Sequence, residues 1–257
     1  MCGTCSCALP SRPAPQTPAT PGRHLRLAEA LLQRNDRQAA ANRTLWRAAG
    51  LPVLNLMAAP GAGKTTLLEA LAGQWPRGGA STGTASAAPM ALAAPPALAA
   101  LVGDLATDRD ARRLRAAGWT AQAINTGQAC HLEAAGVAQA VARLERAGVA
   151  LAALDLLVIE NVGNLVCPAA YDLGETARVV LLSVTEGEDK PLKYPPAFRR
   201  ANLVLISKSD LAPLVGLDRA LLQRSLAEVA PQATVLTVSA RTGQGLPELV
   251  QWLQALG

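Results

Sequence analysis

Val53-Leu54-Asn55-Leu56-Met57-Ala58-Ala59-Pro60-Gly61-Ala62-Gly63-Lys64-Thr65-Thr66-Leu67-Leu68 is the stretch that decides the fold. A run of strand length passes directly into a glycine-rich turn, and the turn into a helix expected over residues 65–74. Residues 58–65 match G-x-x-x-x-G-K-[ST] at every position but the first, where Ala58 replaces glycine. Gly61 and Gly63 let the backbone curl so that successive N–H groups face phosphates at the positive end of the following helix. Ala62 and Thr66 belong to the same cradle, Lys64 is placed to reach β and γ phosphates, and Thr65 to ligate magnesium.

Outward from this loop, further apolar strands are expected at residues 98–102, 156–159, 179–184, 203–206 and 234–238, most of them separated by helical stretches. Alternating strands and helices predict an α/β fold with a mainly parallel sheet covered on both faces, its ligands at the carboxyl ends of the strands. Upstream, residues 24–49 read as a helix with Leu25, Ala28, Leu32, Ala39 and Leu45 as its apolar positions, ended by Gly50 and Pro52. The expected organisation is a flexible tail over residues 1–22, a helical segment over 23–50 and a nucleotide-binding domain over 51–257. A low-complexity surface insertion is expected at 78–96.

Ser207-Lys208-Ser209-Asp210 follows one of these strands and is similar to the guanine-reading N-K-x-D, with Ser207 in place of asparagine. Asp210 can accept from the ring N–H and the exocyclic amine that only guanine presents, and adenine would leave that carboxylate unpaired. Ser239-Ala240 is similar to the element whose backbone touches the guanine oxygen. Two switch candidates come after strands expected beside the phosphate loop. One is Gly103-Asp104-Leu105-Ala106-Thr107-Asp108-Arg109-Asp110, with Asp104 the first choice for a magnesium ligand or water-orienting group. The other is Glu160-Asn161-Val162-Gly163, similar to D-x-x-G, where the acid holds magnesium through water and the Gly163 N–H meets the γ phosphate. Asp108 and Asp110 read equally well as helix-capping and first-turn charges.

Composition narrows the partners. The net charge is +5, but the basic residues are scattered without interleaved aromatics, which argues against nucleic acid. Only four of the 24 basic residues are lysines, Lys64, Lys190, Lys193 and Lys208, so each retained lysine stands out. No charged start with an apolar h-region opens the sequence, and the apolar run at 87–102 is broken by Pro89, Pro95 and Pro96. A cytoplasmic protein without membrane attachment is expected.

In that compartment the five cysteines point to metal rather than disulfides. Cys2, Cys5 and Cys7 place three thiolates on one short stretch, with a backbone nitrogen or the terminal amine as a fourth donor, a set that suits zinc or Ni(II). Cys130, His131 and Cys167 fall in loops after separate core segments. Each alone reads as an ordinary buried side chain. Together they include both remaining cysteines and one of only two histidines, which favours a second metal site.

MCGTCSC, AAPGAGKTTLLEAL, GDLATDRDARRL, INTGQACHLEA, IENVGNLVCPAAYDLGE and SVTEGEDKPLKYP, in this order, are similar to the signature segments of the HypB family of hydrogenase nickel-incorporation GTPases. The likeness covers the extreme N-terminus and the chain from about residue 35 onward. It implies a G domain of the SIMIBI class, to which the signal-recognition and MinD proteins belong, that hydrolyses GTP to GDP with magnesium. It also implies a GTP-dependent homodimer and two nickel sites, either open to zinc, formed by Cys2, Cys5 and Cys7 in the tail and by Cys130, His131 and Cys167 beside the switches. The implied partners are the nickel chaperone HypA and the large subunit of a nickel-iron hydrogenase. Ser6, Ser207 and the 78–96 insertion depart from the family pattern, and the lack of a histidine-rich stretch argues against nickel storage. The competing readings are a urease or cobalamin-enzyme accessory GTPase, a metal-binding scaffold with a weakened nucleotide site, and a small-molecule kinase. The tail and ENVGNLVCP oppose the first. Lys64, Thr65, Glu160 and Asp210 oppose the second, and the guanine motif opposes the third.

Overall fold

The computed structural model describes residues 21–76 and 97–257. The tail ligands Cys2, Cys5 and Cys7 and the expected insertion at 78–96 lie outside the described residues. Seven strands form one sheet: β1 (Val53–Ala58), β2 (Leu98–Asp104), β3 (Thr120–Asn125), β4 (Leu156–Glu160), β5 (Ala177–Ser183), β6 (Leu203–Ser207) and β7 (Thr234–Thr237). Their order is β3-β2-β4-β1-β5-β6-β7, and every pair is parallel. All carboxyl ends therefore emerge at one edge, with β1 in the middle.

Among the described residues the helices are α1 (Pro21–Ala49), α2 (Lys64–Gln74), α3 (Arg109–Ala116), α4 (Ala134–Arg146), α5 (Cys167–Ala170), α6 (Lys190–Lys193), α7 (Pro195–Arg199), α8 (Ala212–Val215), α9 (Arg219–Val229) and α10 (Leu246–Gln254). None of them is long and apolar enough to cross a membrane. Every residue of β1 is buried, because helices cover both faces of the sheet. Leu54 and Leu56 pack with Leu68 and Leu71 of α2, Leu114 of α3 and Leu253 of α10. The opposite face divides into two clusters. Met57 and Val180 meet Phe198 of α7 and Leu226 of α9, while Val53 and Ile159 meet Trp46 of α1 and Val141 of α4.

The structure differs from the sequence reading in three respects. β3 was not anticipated from the sequence, because Thr-Ala-Gln-Ala-Ile-Asn on the sheet edge is only partly buried and lacks the apolar run of the central strands. The strand before Asp104 does not lie beside the phosphate loop: β2 pairs with β4, and β4 separates it from β1. Helix α1 also differs in its face. It buries Asn35, Ala39, Asn42 and Trp46, at i, i+4, i+7 and i+11, whereas Leu45 is exposed. The helix begins at Pro21, a residue type well suited to a first helical turn.

Candidate nucleotide and metal sites

The loop between β1 and α2 is shaped as its sequence requires. Gly63 takes φ +98° as the residue that enters α2, a left-handed conformation that side-chain-bearing residues adopt at a cost. Thr65 on the first turn donates its hydroxyl to Glu160 Oε1 at 2.8 Å. Glu160 ends β4 beside β1 and is almost wholly buried, and burial pushes its pKa up to about 7 against the opposing pull of Lys64 and the Thr65 hydroxyl. Its second oxygen, Oε2, is buried without a hydrogen-bond partner. A hydroxyl and a carboxylate oxygen left unpaired in a buried site are hard oxygen donors of the kind magnesium takes.

Burial holds Lys64 below the ordinary lysine range, with Glu160, Asp110 and Glu186 acting to raise it. Of the acids in the 103–110 segment, Asp110 is thus one whose charge reaches both Lys64 and Glu160. Asp104 accepts from the N–H groups of Ala106 at 2.8 Å and Thr107 at 2.7 Å, bonds that hold its carboxyl below the usual range. Asp108 occupies the capping position of α3 without a side-chain cap, and pairs instead with Arg112 at 2.9 Å. Thr66 accepts from Arg113, which also binds Glu69 and Asp110, so α2 and α3 are tied together at this end.

The base-reading segment closes on the phosphate loop from the other side. Ser207 donates to the Ala62 carbonyl at 2.9 Å, and Lys208 Nζ to the Gly61 carbonyl at 2.7 Å. Lys208 is the one non-glycine residue among those described with positive φ, at 56°. Asp210 is half-buried and accepts from the Ser239 hydroxyl at 2.6 Å, which brings the two guanine elements together, with Ala240 next in the chain. Gly163 lies against the loop as well, since a Cβ placed there would meet Pro60 Cα at 3.3 Å.

Cys130 and His131 lie between β3 and α4, and Cys167 opens α5 after β4. Their ligand atoms lie within 4.8 Å of one another. The Cys130 and Cys167 sulfurs are 2.6 Å apart, longer than a disulfide bond, and both cysteines are free. The neighbouring Cys167 thiol and burial raise the Cys130 thiol. His131 stacks on Tyr171 with ring centroids 3.9 Å apart, and burial lowers its pKa against the pull of Glu133. Its Nε2 is buried without a hydrogen-bond partner. Two sulfurs and a neutral imidazole form a donor set for a borderline transition metal. Asn164 joins the two loops, donating from Nδ2 to the Cys130 carbonyl at 3.3 Å.

Among the described residues, the candidates lie in loops at one edge of the sheet, and the segment from Glu160 to Cys167 runs between the group around the phosphate loop and the trio of Cys130, His131 and Cys167. Sequence reading missed Glu186, although it lies in a quoted segment, and the stacking role of Tyr171. It also missed the clamp made by α1. Asn35 and Asn42 bond to the backbone of Ala134 and of Asp172 and Leu173, on the two segments that flank the metal trio.

Residues 52–237 match the model of the CobW/HypB/UreG nucleotide-binding domain. The chain is 45% identical over 238 residues to the hydrogenase maturation factor HypB of Azotobacter vinelandii, covering 90% of this chain and 69% of that protein. The crystal structure of HypB from Helicobacter pylori in complex with nickel is similar at TM-score 0.75 and 38% identity, over 86% of this chain and 94% of that one. HypB of Archaeoglobus fulgidus is similar at TM-score 0.72 and 36% identity, over 88% of this chain and all 100% of the other.

Proposed function

Because the chain belongs to the HypB family of hydrogenase maturation factors, we infer that it is a GTP-hydrolysing carrier that hands nickel to the large subunit of a nickel-iron hydrogenase. The observation that carries this reading is the clustering of Cys130, His131 and Cys167, the last of which lies seven residues along the chain from Glu160, the carboxylate that bonds Thr65.

In this reading Asp210, held by Ser239, pairs with the two guanine N–H donors. Ser207 and Lys208 fix the distance between base and phosphate loop through the Ala62 and Gly61 carbonyls. The loop N–H groups, with those of Gly61, Ala62, Gly63 and Thr66 among them, and the Lys64 ammonium meet the phosphates. Thr65 and Glu160 would hold magnesium, which supplies charge neutralisation on the β and γ phosphates when bound. Asp110 faces that shell, and Asp104 shapes the loop that carries it. Water attacks the γ phosphorus, the bond to the β-phosphate oxygen breaks, and GDP and phosphate leave. The work of the protein is positioning and electrostatic stabilisation. The Gly163 N–H reports whether the γ phosphate is present.

Nickel is the cargo. Three ligands on one chain leave its shell open, whereas structural zinc sites are closed by four. An open shell suits transfer, and a second chain in a GTP-dependent homodimer can complete it. Cys2, Cys5 and Cys7 form the separate tail site, and the nickel chaperone HypA is the expected donor. Zinc is the competing ion at both sites.

The test is a titration of nickel and of zinc into the purified chain with GDP or a non-hydrolysable GTP analogue, read by stoichiometry and thiolate absorption. Two nickel ions per chain are expected, one of them lost when Cys2, Cys5 and Cys7 become serine. The remaining affinity should depend on the nucleotide. Nickel binding that survives loss of both cysteine sets, or identical affinities in the two nucleotide states, would overturn the reading.

A further inference from the structure

A buried file of polar side chains crosses the sheet where apolar residues would pack as well. Asn161 Nδ2 donates to Asn55 Oδ1 at 3.2 Å, and Asn55 Nδ2 donates to Glu175 Oε1 at 3.3 Å. The same carboxylate oxygen accepts from Arg178 Nε at 2.5 Å. The Arg178 fork then donates to the carbonyls of Ala169 at 3.1 Å and Tyr171 at 2.7 Å. Exposure is 0% at Asn55, 1% at Asn161, 8% at Glu175 and 6% at Arg178. Asn55 and Arg178 are register partners across β1 and β5, so their side chains leave the sheet on the same face. That face is the one divided between two apolar clusters, with Val53 of β1 in one, Met57 in the other and Asn55 between them in sequence.

The two ends of this file are the informative part. At one end Asn161 follows Glu160 directly and precedes by two residues Gly163, which lies against Pro60 of the phosphate loop. Its Oδ1 also accepts from the Val162 N–H at 3.0 Å, so the side chain tracks the local backbone. At the other end Ala169 belongs to the helix that Cys167 opens, and Tyr171 stacks on His131. The Arg178 fork therefore holds two carbonyls of the segment that carries Cys167 and the ring stacked on His131. Every link except the part-buried one to Tyr171 is buried, and an unpaired buried donor or acceptor is costly, which favours passing a shift at Asn161 along the file over absorbing it.

We propose that Asn55, Glu175 and Arg178 are positioning residues that couple the segment sensing the γ phosphate to the nickel ligands. The proposal rests on the reading that the phosphate loop holds GTP and that the trio holds nickel. The route through Asn55 is distinct from the direct chain path between Gly163 and Cys167. Asn55 touches neither ligand, which makes it the place to cut.

The experiment uses the full chain with Cys2, Cys5 and Cys7 changed to serine, so that one nickel site remains. Nickel affinity and the thiolate-to-nickel absorption band are measured with GDP and with a non-hydrolysable GTP analogue. The parent should show a ratio of affinities in the range of about 5- to 150-fold usual for coupled sites. Asn55→Leu should bring that ratio to within about twofold of unity while nickel still binds with a thiolate band. A ratio that stays at the parent value in Asn55→Leu would overturn the relay. A parent ratio of one would overturn the nucleotide control on which it rests, and the two failures are thus told apart. Should Asn55→Leu lack a cooperative thermal transition, Arg178→Lys is read in its place, because lysine keeps the charge beside Glu175 but loses the fork. Collapse of the ratio in that variant supports the relay, and retention overturns it.

Discussion

Ser207 is a smaller residue than the asparagine its motif leads one to expect, yet its hydroxyl reaches the Ala62 carbonyl and keeps the base-reading loop tied to the phosphate loop. A buried hydrogen bond of this kind stabilises by about 1 kcal/mol net. Ser207→Ala should therefore raise the KM for GTP roughly fivefold with kcat little changed, since the bond orders the binding site rather than the reacting atoms. A fall in kcat at constant KM would place Ser207 in the chemistry instead. Lys64→Ala belongs to the opposite class. It removes a half-buried ammonium that the proposed function sets against the developing charge, and kcat should fall by about two orders of magnitude in steady-state assays while the domain stays folded. Undiminished turnover would mean that the hydrolysis measured comes from another protein. Asp210→Asn should shift preference from guanine to xanthine nucleotides, checked by competition binding. These candidates were legible in the sequence because type and spacing carry the chemistry proposed for them. Asn55, Glu175 and Arg178 were not, because their role depends on being side by side across strands far apart in the chain.

At the scale of elements, the strands that were read correctly are those buried on both faces, whose apolar runs need no alternation. Edge strand β3 and the face of α1 escape hydrophobic periodicity for a related reason: apart from Ile124 and Trp46, burial there is carried by small or polar residues. Asn35 and Asn42 are buried because they cap backbone groups of other elements, which hydrophobic periodicity does not report. Helix α1 is a clamp on the segments that flank Cys130, His131 and Cys167, and Gly174 is where the clamp is tightest. It has φ +89°, and a Cβ there would lie 2.5 Å from the Ala39 carbonyl oxygen. Gly174→Ala should cost roughly 2 to 4 kcal/mol, part of it backbone strain and part displacement of α1. Thermal unfolding measures this, and an unchanged midpoint would show that α1 is not held there. Arg43 is the second hold, its Nη2 donating to both Asp172 carboxylate oxygens at 2.7 and 2.8 Å. Partial burial raises the Asp172 pKa, but the Arg43 bonds and the Gly174 N–H outweigh it and leave the carboxyl below its ordinary range. A carboxyl depressed on folding contributes stability above its unfolded pKa of about 3.9 that is lost as pH falls through the folded value. Arg43→Ala should thus cost on the order of 1 kcal/mol at pH 7 and progressively less below about pH 4. Denaturant titrations at both pH values check the sign, and a cost that grows on acidification would contradict it.

For the whole molecule, the parallel sheet brings the candidate loops to one edge, so the proposed nucleotide and metal sites share a boundary formed by the Glu160 to Cys167 segment. Two ligands that bias one segment are linked in both directions. If GTP in place of GDP changes nickel affinity by a given factor, bound nickel must change the preference for GTP over GDP by the same factor. The metal trio supplies three ligands, so part of this coupling should pass through a second chain that completes the shell, and that part depends on protein concentration. The preference for the GTP analogue over GDP should therefore be measured with nickel and with a chelator, at protein concentrations below and above the dimerisation range, in the chain whose tail cysteines are serine. The expected result is a nickel-induced shift equal to the nucleotide-induced shift in nickel affinity, larger at high protein concentration. Equal shifts at all concentrations would confine the coupling to one chain, where the Asn55 file acts. Unequal factors in the two directions would mean that the two titrations do not report the same nickel ion, and the trio of Cys130, His131 and Cys167 would lose its place as the site under nucleotide control.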